Sequence, residues 1–319
     1  MAQSHSPKEI ESYEAIILGA GPAGISCALG LHEMRVDYIL LERAAQIGGQ
    51  LQFIENTIRD FASSIWQSGH ALQADMEAQC NRIGVRIRTN QNIEKVDLAN
   101  KTFTAGGKAY RARSLFLATG AKVRRLSFKG DQSISDCILY DSEKHEELLT
   151  GKTVAVVGGG DNALMDALWL AERCPSVLVI SRSAQIKARP DVLRDVLRHP
   201  VISTLKLSEV VELTQEHGRL KFVFVLDKES GKIKQYQIDF LLVKAGYSPN
   251  SELFAEQIAM DDSGHVLVDL SCQTSLRGVY AGGDLVAPEV LHIGRAVGHG
   301  IVAAQAMLHY LRDEVSEQQ

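Results

Sequence analysis

The sequence predicts an α/β fold in which one strand–turn–helix domain is inserted into another of the same kind. Three observations predict it. Gly19-Ala20-Gly21-Pro22-Ala23-Gly24 follows the apolar run Ala15 to Leu18 and opens a helical stretch, Ile25 to Met34. The same grammar restarts far downstream, where Thr153 to Val157 leads through Gly158-Gly159-Gly160-Asp161-Asn162-Ala163 into Leu164 to Ala171. Beyond Ala245-Gly246-Tyr247-Ser248-Pro249-Asn250 a further short apolar run meets glycines, Val279-Tyr280-Ala281-Gly282-Gly283-Asp284, which is read as a return to the first domain. A glycine-rich turn between strand and helix is a Rossmann fingerprint. Its first glycine makes the tight turn, its second admits a pyrophosphate to the backbone, and its third position, Gly24 or Ala163, lets helix pack on strand. The expected fold is therefore two Rossmann-like three-layer dinucleotide-binding domains, the first made of residues 1–119 and 246–319, the second of residues 120–245.

The elements follow in order. After the first turn and helix, Tyr38 to Leu41 reads as a strand, Gly69 to Ile83 as a helix, and Ile93 to Tyr110 as hairpin-like, with a turn at Gly106-Gly107. Lys152 to Ser181 repeats strand, turn, helix and strand, and alternating segments follow around Leu205 to Leu213, Leu220 to Leu226 and Tyr236 to Val243. The two crossings, near Gly120 to Arg124 and Lys244 to Gly246, are candidates for a hinge. The last helix runs from Leu291 to Leu311, and Asp313 to Gln319 reads as a frayed polar tail.

The strand ends after each glycine turn distinguish the two ligands. Glu42 follows the first unit's second strand, where a carboxylate accepts both hydroxyls of an adenosine ribose, as in FAD or NAD. At the corresponding place in the second unit stand Ser181 and Arg182, with Lys187 and Arg189 behind. A guanidinium suits a 2′-phosphate, which a carboxylate would repel. The competing reading of this basic cluster is a solvated loop face.

Composition excludes several functions. With 319 residues, 45% hydrophobic and 23% charged, the chain has ordinary globular usage and room for two domains. Its net charge of -5 argues against general nucleic-acid binding. No export signal and no apolar run long enough for a membrane span is read. The five scattered cysteines suit a reducing cytoplasm better than a disulfide framework. Neither they nor the ten histidines form zinc-type pairs, so no metal is expected.

The two fingerprints, with Ile47-Gly48-Gly49-Gln50, Leu117-Ala118-Thr119-Gly120 and the late Gly282-Gly283-Asp284 motif, resemble the low-molecular-weight thioredoxin reductase family of FAD- and NADPH-dependent flavoproteins over nearly the whole chain. The resemblance implies that FAD is held by Gly19, Gly21, Pro22, Ala23, Gly24, Glu42, Arg43, Gly49, Gln50, Thr119, Gly120, Gly283, Asp284 and Ile293. It implies that NADPH is held by Gly158, Gly160, Asp161, Asn162, Ala163, Arg182 and Lys187. It also implies a homodimer.

One family feature is missing. Thioredoxin reductases carry a Cys-x-x-Cys pair before the second glycine motif, and here that region, Asp136 to His145, holds Cys137 alone. The stretch Ile138 to Lys152, with a helix-like Ser142 to Leu149, looks more like the thioredoxin-reductase-like ferredoxin-NADP reductases, so ferredoxin or flavodoxin is the expected electron acceptor. A flavin oxidase or a thiol-disulfide enzyme using Cys27 or Cys137 is the alternative, and a nucleotide-sensing flavoprotein with little turnover a further one. In the last helix His292, Arg295 and His299 fall at i, i+3 and i+7, on one helical face. By resemblance His292 stands beside the flavin as the candidate catalytic residue; the competing reading of the stripe is an interface hydrogen-bond network. Gly294, Gly298 and Gly300 are expected to allow close backbone approach there.

Overall fold

A computed structural model describes residues 10–130, 134–286 and 291–317. The chain divides into two compact units, one comprising Met1–Lys122 with Ser248–Gln319, the other Val123–Tyr247.

The first unit opens with β1 (Ile10–Leu18), α1 (Pro22–Glu33) and β2 (Tyr38–Leu41). α1 begins at Pro22, ahead of the expected Ile25, because proline at the first helical position arrives with its φ preset and needs no N–H partner there. α2 (Gly69–Ile83) starts where the Ser68 hydroxyl accepts from the Ala71 N–H at 3.3 Å and stops at left-handed Gly84. Then come β3 (Ile87–Arg88), β4 (Ile93–Asp97), β5 (Thr102–Ala105) and β6 (Lys108–Leu117). β5 and β6 are joined through Gly106-Gly107, both at positive φ, the requirement of a tight two-residue hairpin.

β7 (Ala121–Val123) leads into the second unit, which continues with β8 (Ile138–Leu139), the short α3 (Glu146–Leu149), β9 (Thr153–Val157), α4 (Asp161–Ala171), β10 (Ser176–Ile180), α5 (Pro190–Arg198) and β11 (Ile202–Leu205). β12 (Ser208–Glu216), β13 (Arg219–Asp227) and β14 (Ile233–Gln237) form an antiparallel sheet of their own, and β15 (Phe240–Val243) rejoins the main one. The main sheet is parallel, in the order β11-β10-β9-β15-β8. β10 and β15 are buried from end to end but for Ser176, as strands covered on both faces require.

β16 (Tyr247–Pro249) pairs with β7, and the chain closes with β17 (Val279–Ala281) and α6 (Ile293–Glu317). The first unit's sheet runs β3-β2-β1-β6-β5-β4, with β17 also on β6. Alternate residues face opposite ways: Ile17, Leu40 and Phe116 pack under α1 and α6, while Ile16, Ile39 and Leu117 meet Phe254, Val266 and Leu285 on the other face.

Two expectations are corrected. Residues from Asp313 are not a frayed tail, since α6 continues to Glu317. Arg113 explains it: its Nε lies 3.2 Å from the Glu314 carboxylate and its Nη2 donates to the Leu311 carbonyl at 2.9 Å. The Tyr310 hydroxyl donates to the same carboxylate. The Ser142 to Leu149 stretch is a 3-10 turn followed by the single turn of α3. No described helix is long and apolar enough to cross a membrane.

Candidate dinucleotide sites

At the first site, α1 is driven hard onto the turn that starts it. A Cβ added at Gly24 would lie 1.9 Å from the Gly19 carbonyl oxygen, so only glycine allows this contact. Gly19 itself sits at φ +107 with its back against the Ala118 carbonyl. A Cβ at Gly21, by contrast, meets nothing within 4 Å, which leaves the α1 N-terminus and its free N–H groups open to an anion. Glu42 at the end of β2 accepts from the Ala20 N–H through one oxygen and from the Ala44 N–H through the other, both at 2.7 Å. Each oxygen keeps a lone pair for a ribose hydroxyl. Gly48 donates to the Ala20 carbonyl at 2.7 Å, docking the loop that carries Gly49 and Gln50 beside this turn. Pro22 and Ala23 form the first turn of α1, and Arg43 is exposed.

A second cluster gathers where α6 begins. Gln50 donates to the Asp284 carboxylate at 2.6 Å. Burial pushes the Asp284 carboxyl up, against the opposing pull of the Gln50 amide and the Arg295 charge. His299 accepts from the Gly283 N–H at 3.1 Å through Nδ1; burial, then Arg295, pushes its imidazole down. His292 precedes the helix and caps it: its Nδ1 accepts from the Gly294 N–H at 2.9 Å, and its Nε2 lies 3.3 Å from Asp60. The expected stripe of His292, Arg295 and His299 is thus corrected, since His292 lies outside α6 and the helix opens at Ile293. Gly300 allows the close backbone approach expected of it, and the backbone it meets is that of α1. A Cβ there would lie 2.3 Å from the Ala23 carbonyl oxygen, so it lets α6 cross α1. The hydroxyl of Thr119 donates to the Asn250 carbonyl at 2.8 Å, and the Asn250 N–H to the Gly120 carbonyl at 2.9 Å, so both residues are engaged with the returning chain.

In the second unit the turn after β9 is built the same way. Gly158, at φ +154, lies against Ala163 and the Lys244 carbonyl, while a Cβ at Gly160 would meet nothing within 4 Å. The loop after β10 folds against this turn: Lys187 donates its N–H to the Gly159 carbonyl at 2.8 Å, and Arg189 its N–H to Asp161 at 2.6 Å. Ser181 is buried beside Gly159, whereas Arg182, Lys187, Arg189 and Asn162 are exposed. The cations therefore stand on the loop that folds against the open turn.

All five cysteines are buried and free. Burial pushes the Cys27 thiol far up, and Cys272 to about 11. Such thiols are poor nucleophiles at neutral pH, which disfavours the thiol route through Cys27. No cluster of metal-ligating side chains occurs among the described residues. Sequence reasoning missed Asp60, the partner of His292, and the Gln73 amide that donates to the Ile47 carbonyl at 2.8 Å. Neither lies in a motif, and both contacts span non-adjacent segments.

The fold and sites define a two-dinucleotide oxidoreductase. The chain belongs to the pyridine nucleotide-disulphide oxidoreductase family, whose model matches residues 13–302. It is similar to a Clostridium pasteurianum protein described as a 34.2 kDa protein in rubredoxin operon, at 29% identity over 95% of this chain and 99% of that one. It is 27% identical to the thioredoxin reductase of Peptoclostridium acidaminophilum, over 96% and 99% of the two chains. The solved thioredoxin reductase of Lactococcus lactis shares the fold with a TM-score of 0.82, at 22% identity over 94% of this chain and 99% of its own. The chain is thus a thioredoxin-reductase-like flavoprotein whose cofactors are FAD and NADPH. Its residues fit them: two glycine turns open above helix N-termini, a carboxylate at Glu42 with acceptor capacity to spare, and cations at the other strand end.

Proposed function

We propose that this protein passes electrons from NADPH through FAD to a small carrier protein that takes them singly, with ferredoxin or flavodoxin as the acceptor. The observation that carries this reading is the state of the cysteines. None pairs with another, all are buried, and no Cys-x-x-Cys stands before the second glycine turn, so a dithiol relay has no place in the chain. The description of one relative by its rubredoxin operon supports an acceptor of the electron-carrier kind.

When bound, the flavin supplies the chemistry that converts a hydride into single electrons. The chain's residues bind and orient. Gly19, Gly21, Gly24, Glu42, Gln50 and Asp284 hold FAD, and Gly158 to Ala163 hold the NADPH pyrophosphate, with Arg182 and Lys187 on its 2′-phosphate. The N-terminus of α6 at Ile293 would offer its dipole to a bound flavin, where it would favour negative charge on the ring. His292, fixed by Gly294 and Asp60, supplies a polar group at the same end. The protein works as a cytoplasmic homodimer, a reading that its free thiols and the family resemblance support.

FAD-loaded protein should oxidise NADPH and reduce ferredoxin or flavodoxin, while thioredoxin and small disulfides stay oxidised. Turnover with thioredoxin or a small disulfide, and none with either carrier, would reject the reading. Sedimentation velocity tests the dimer.

A further inference from the structure

Three groups from separate segments of the second unit meet beyond its glycine turn. Lys244 Nζ lies 2.8 Å from Asp166 Oδ2, and the Ser142 hydroxyl donates to Asp166 Oδ1 at 2.5 Å. The side chains of Lys244 and Asp166 are 21% and 16% exposed, and Ser142 is buried. Lys244 directly follows β15, donates its N–H to the Val157 carbonyl at 2.8 Å, and sets its own carbonyl against Gly158. It therefore stands at the carboxyl edge of the sheet, one strand across from the turn. Ser142 stands beyond β8, one strand further.

That position is informative because a dinucleotide crosses such an edge in a fixed order. Its adenosine end belongs over β10, where Ser181 and Arg182 stand, and its pyrophosphate over the turn after β9. Its other half then continues over β15 and β8, where the strand order reverses. A covered ion pair is weak evidence of stability for its own sake, since desolvation offsets the attraction. An ammonium has three donors, and Asp166 takes one.

We infer that Lys244 is a binding residue for the nicotinamide-nucleotide half of NADPH, donating to its phosphate and ribose oxygens, and that Asp166 and Ser142 are positioning residues that aim it. The inference rests on the assignment of NADPH to this unit.

The test is calorimetric titration of FAD-loaded protein with NADP+ and with adenosine 2′,5′-bisphosphate, which has the adenosine end and lacks the nicotinamide half. Lys244→Gln should weaken NADP+ about tenfold, as loss of one charge-assisted contact does, and leave the bisphosphate within about twofold. Lys244→Met combined with Asp166→Asn, which leaves no unpaired carboxylate, should behave alike. Arg182→Ala should weaken both ligands. Unchanged NADP+ affinity in the Lys244 variants, or equal weakening of both ligands, overturns the inference while the nucleotide site stands. Failure of the unmodified protein to bind either ligand removes the site itself and the inference with it.

Discussion

Glu42 holds the first glycine turn, because both of its oxygens accept backbone N–H groups, and the proposed function gives the same carboxylate a ribose to accept from. Glu42→Ala should cost FAD about 1.5 to 3 kcal/mol of binding, the value of a hydrogen bond to a charged group. Glu42→Gln should be nearly as harmful, since its NH2 would face a backbone donor. Flavin retained after dialysis and the dissociation constant measured by fluorescence check both; full retention in Glu42→Gln would mean that the turn does not depend on the carboxylate. Arg182→Ala should erode the preference for NADPH over NADH, read from reduction titrations with each nucleotide. His299 carries a pH signature. The unfolded imidazole takes up a proton as pH falls through about 6.5, whereas burial makes the folded one resist. Its neutral form is therefore fully compatible with folding above that pH, and stability drops below it until the folded form protonates too. Comparing the pH dependence of melting in the unmodified protein and His299→Gln should show a shallower acid slope in the variant.

At the scale of elements, α1 and α6 cross where Gly300 meets the Ala23 carbonyl and Gly30 faces Ala304. Gly300→Ala should destabilise the protein by about 1 to 3 kcal/mol, since the added methyl must push the helices apart. Gly298 is the internal control. A Cβ there meets nothing within 4 Å, so Gly298→Ala should stabilise by roughly 0.5 to 1 kcal/mol through helix propensity. Denaturant melts of the pair separate crowding from propensity; equal effects would refute the packing account. The glycine turns were legible in the sequence because their physics is local: tight turn, open N-terminus and packing contact all fall within six consecutive residues. The partner that Gly300 meets and the tie of His292 to Asp60 were not legible, because each depends on which distant segment arrives opposite. The end of α6 was misjudged for the same reason: its polar last turns are held by Arg113 on β6, which no reading of the tail alone reveals.

For the whole molecule, the central fact is that each unit has its own core: Val154, Val177 and Leu241 with their neighbours in one, Ile17, Phe116 and Leu117 with theirs in the other. Separate cores unfold as separate cooperative units when little couples them. Calorimetry should therefore resolve two transitions, with excess FAD raising one of them by mass action and adenosine 2′,5′-bisphosphate raising the other. One transition that moves with both ligands would show that the units melt together.

The interruption of one unit by the other has a consequence for how the protein is made. A ribosome releases β1 to β6 before Val123–Tyr247, and Val123–Tyr247 before Asp284 and α6. The inserted unit can fold as soon as it emerges, as domains do during synthesis, whereas the earlier strands wait with one face of their sheet uncovered. Completion of the FAD unit then waits for the inserted unit to be made, and the nascent chain is exposed to aggregation through the whole interval in which β1 to β6 lack Phe254, Val266, Leu285 and α6.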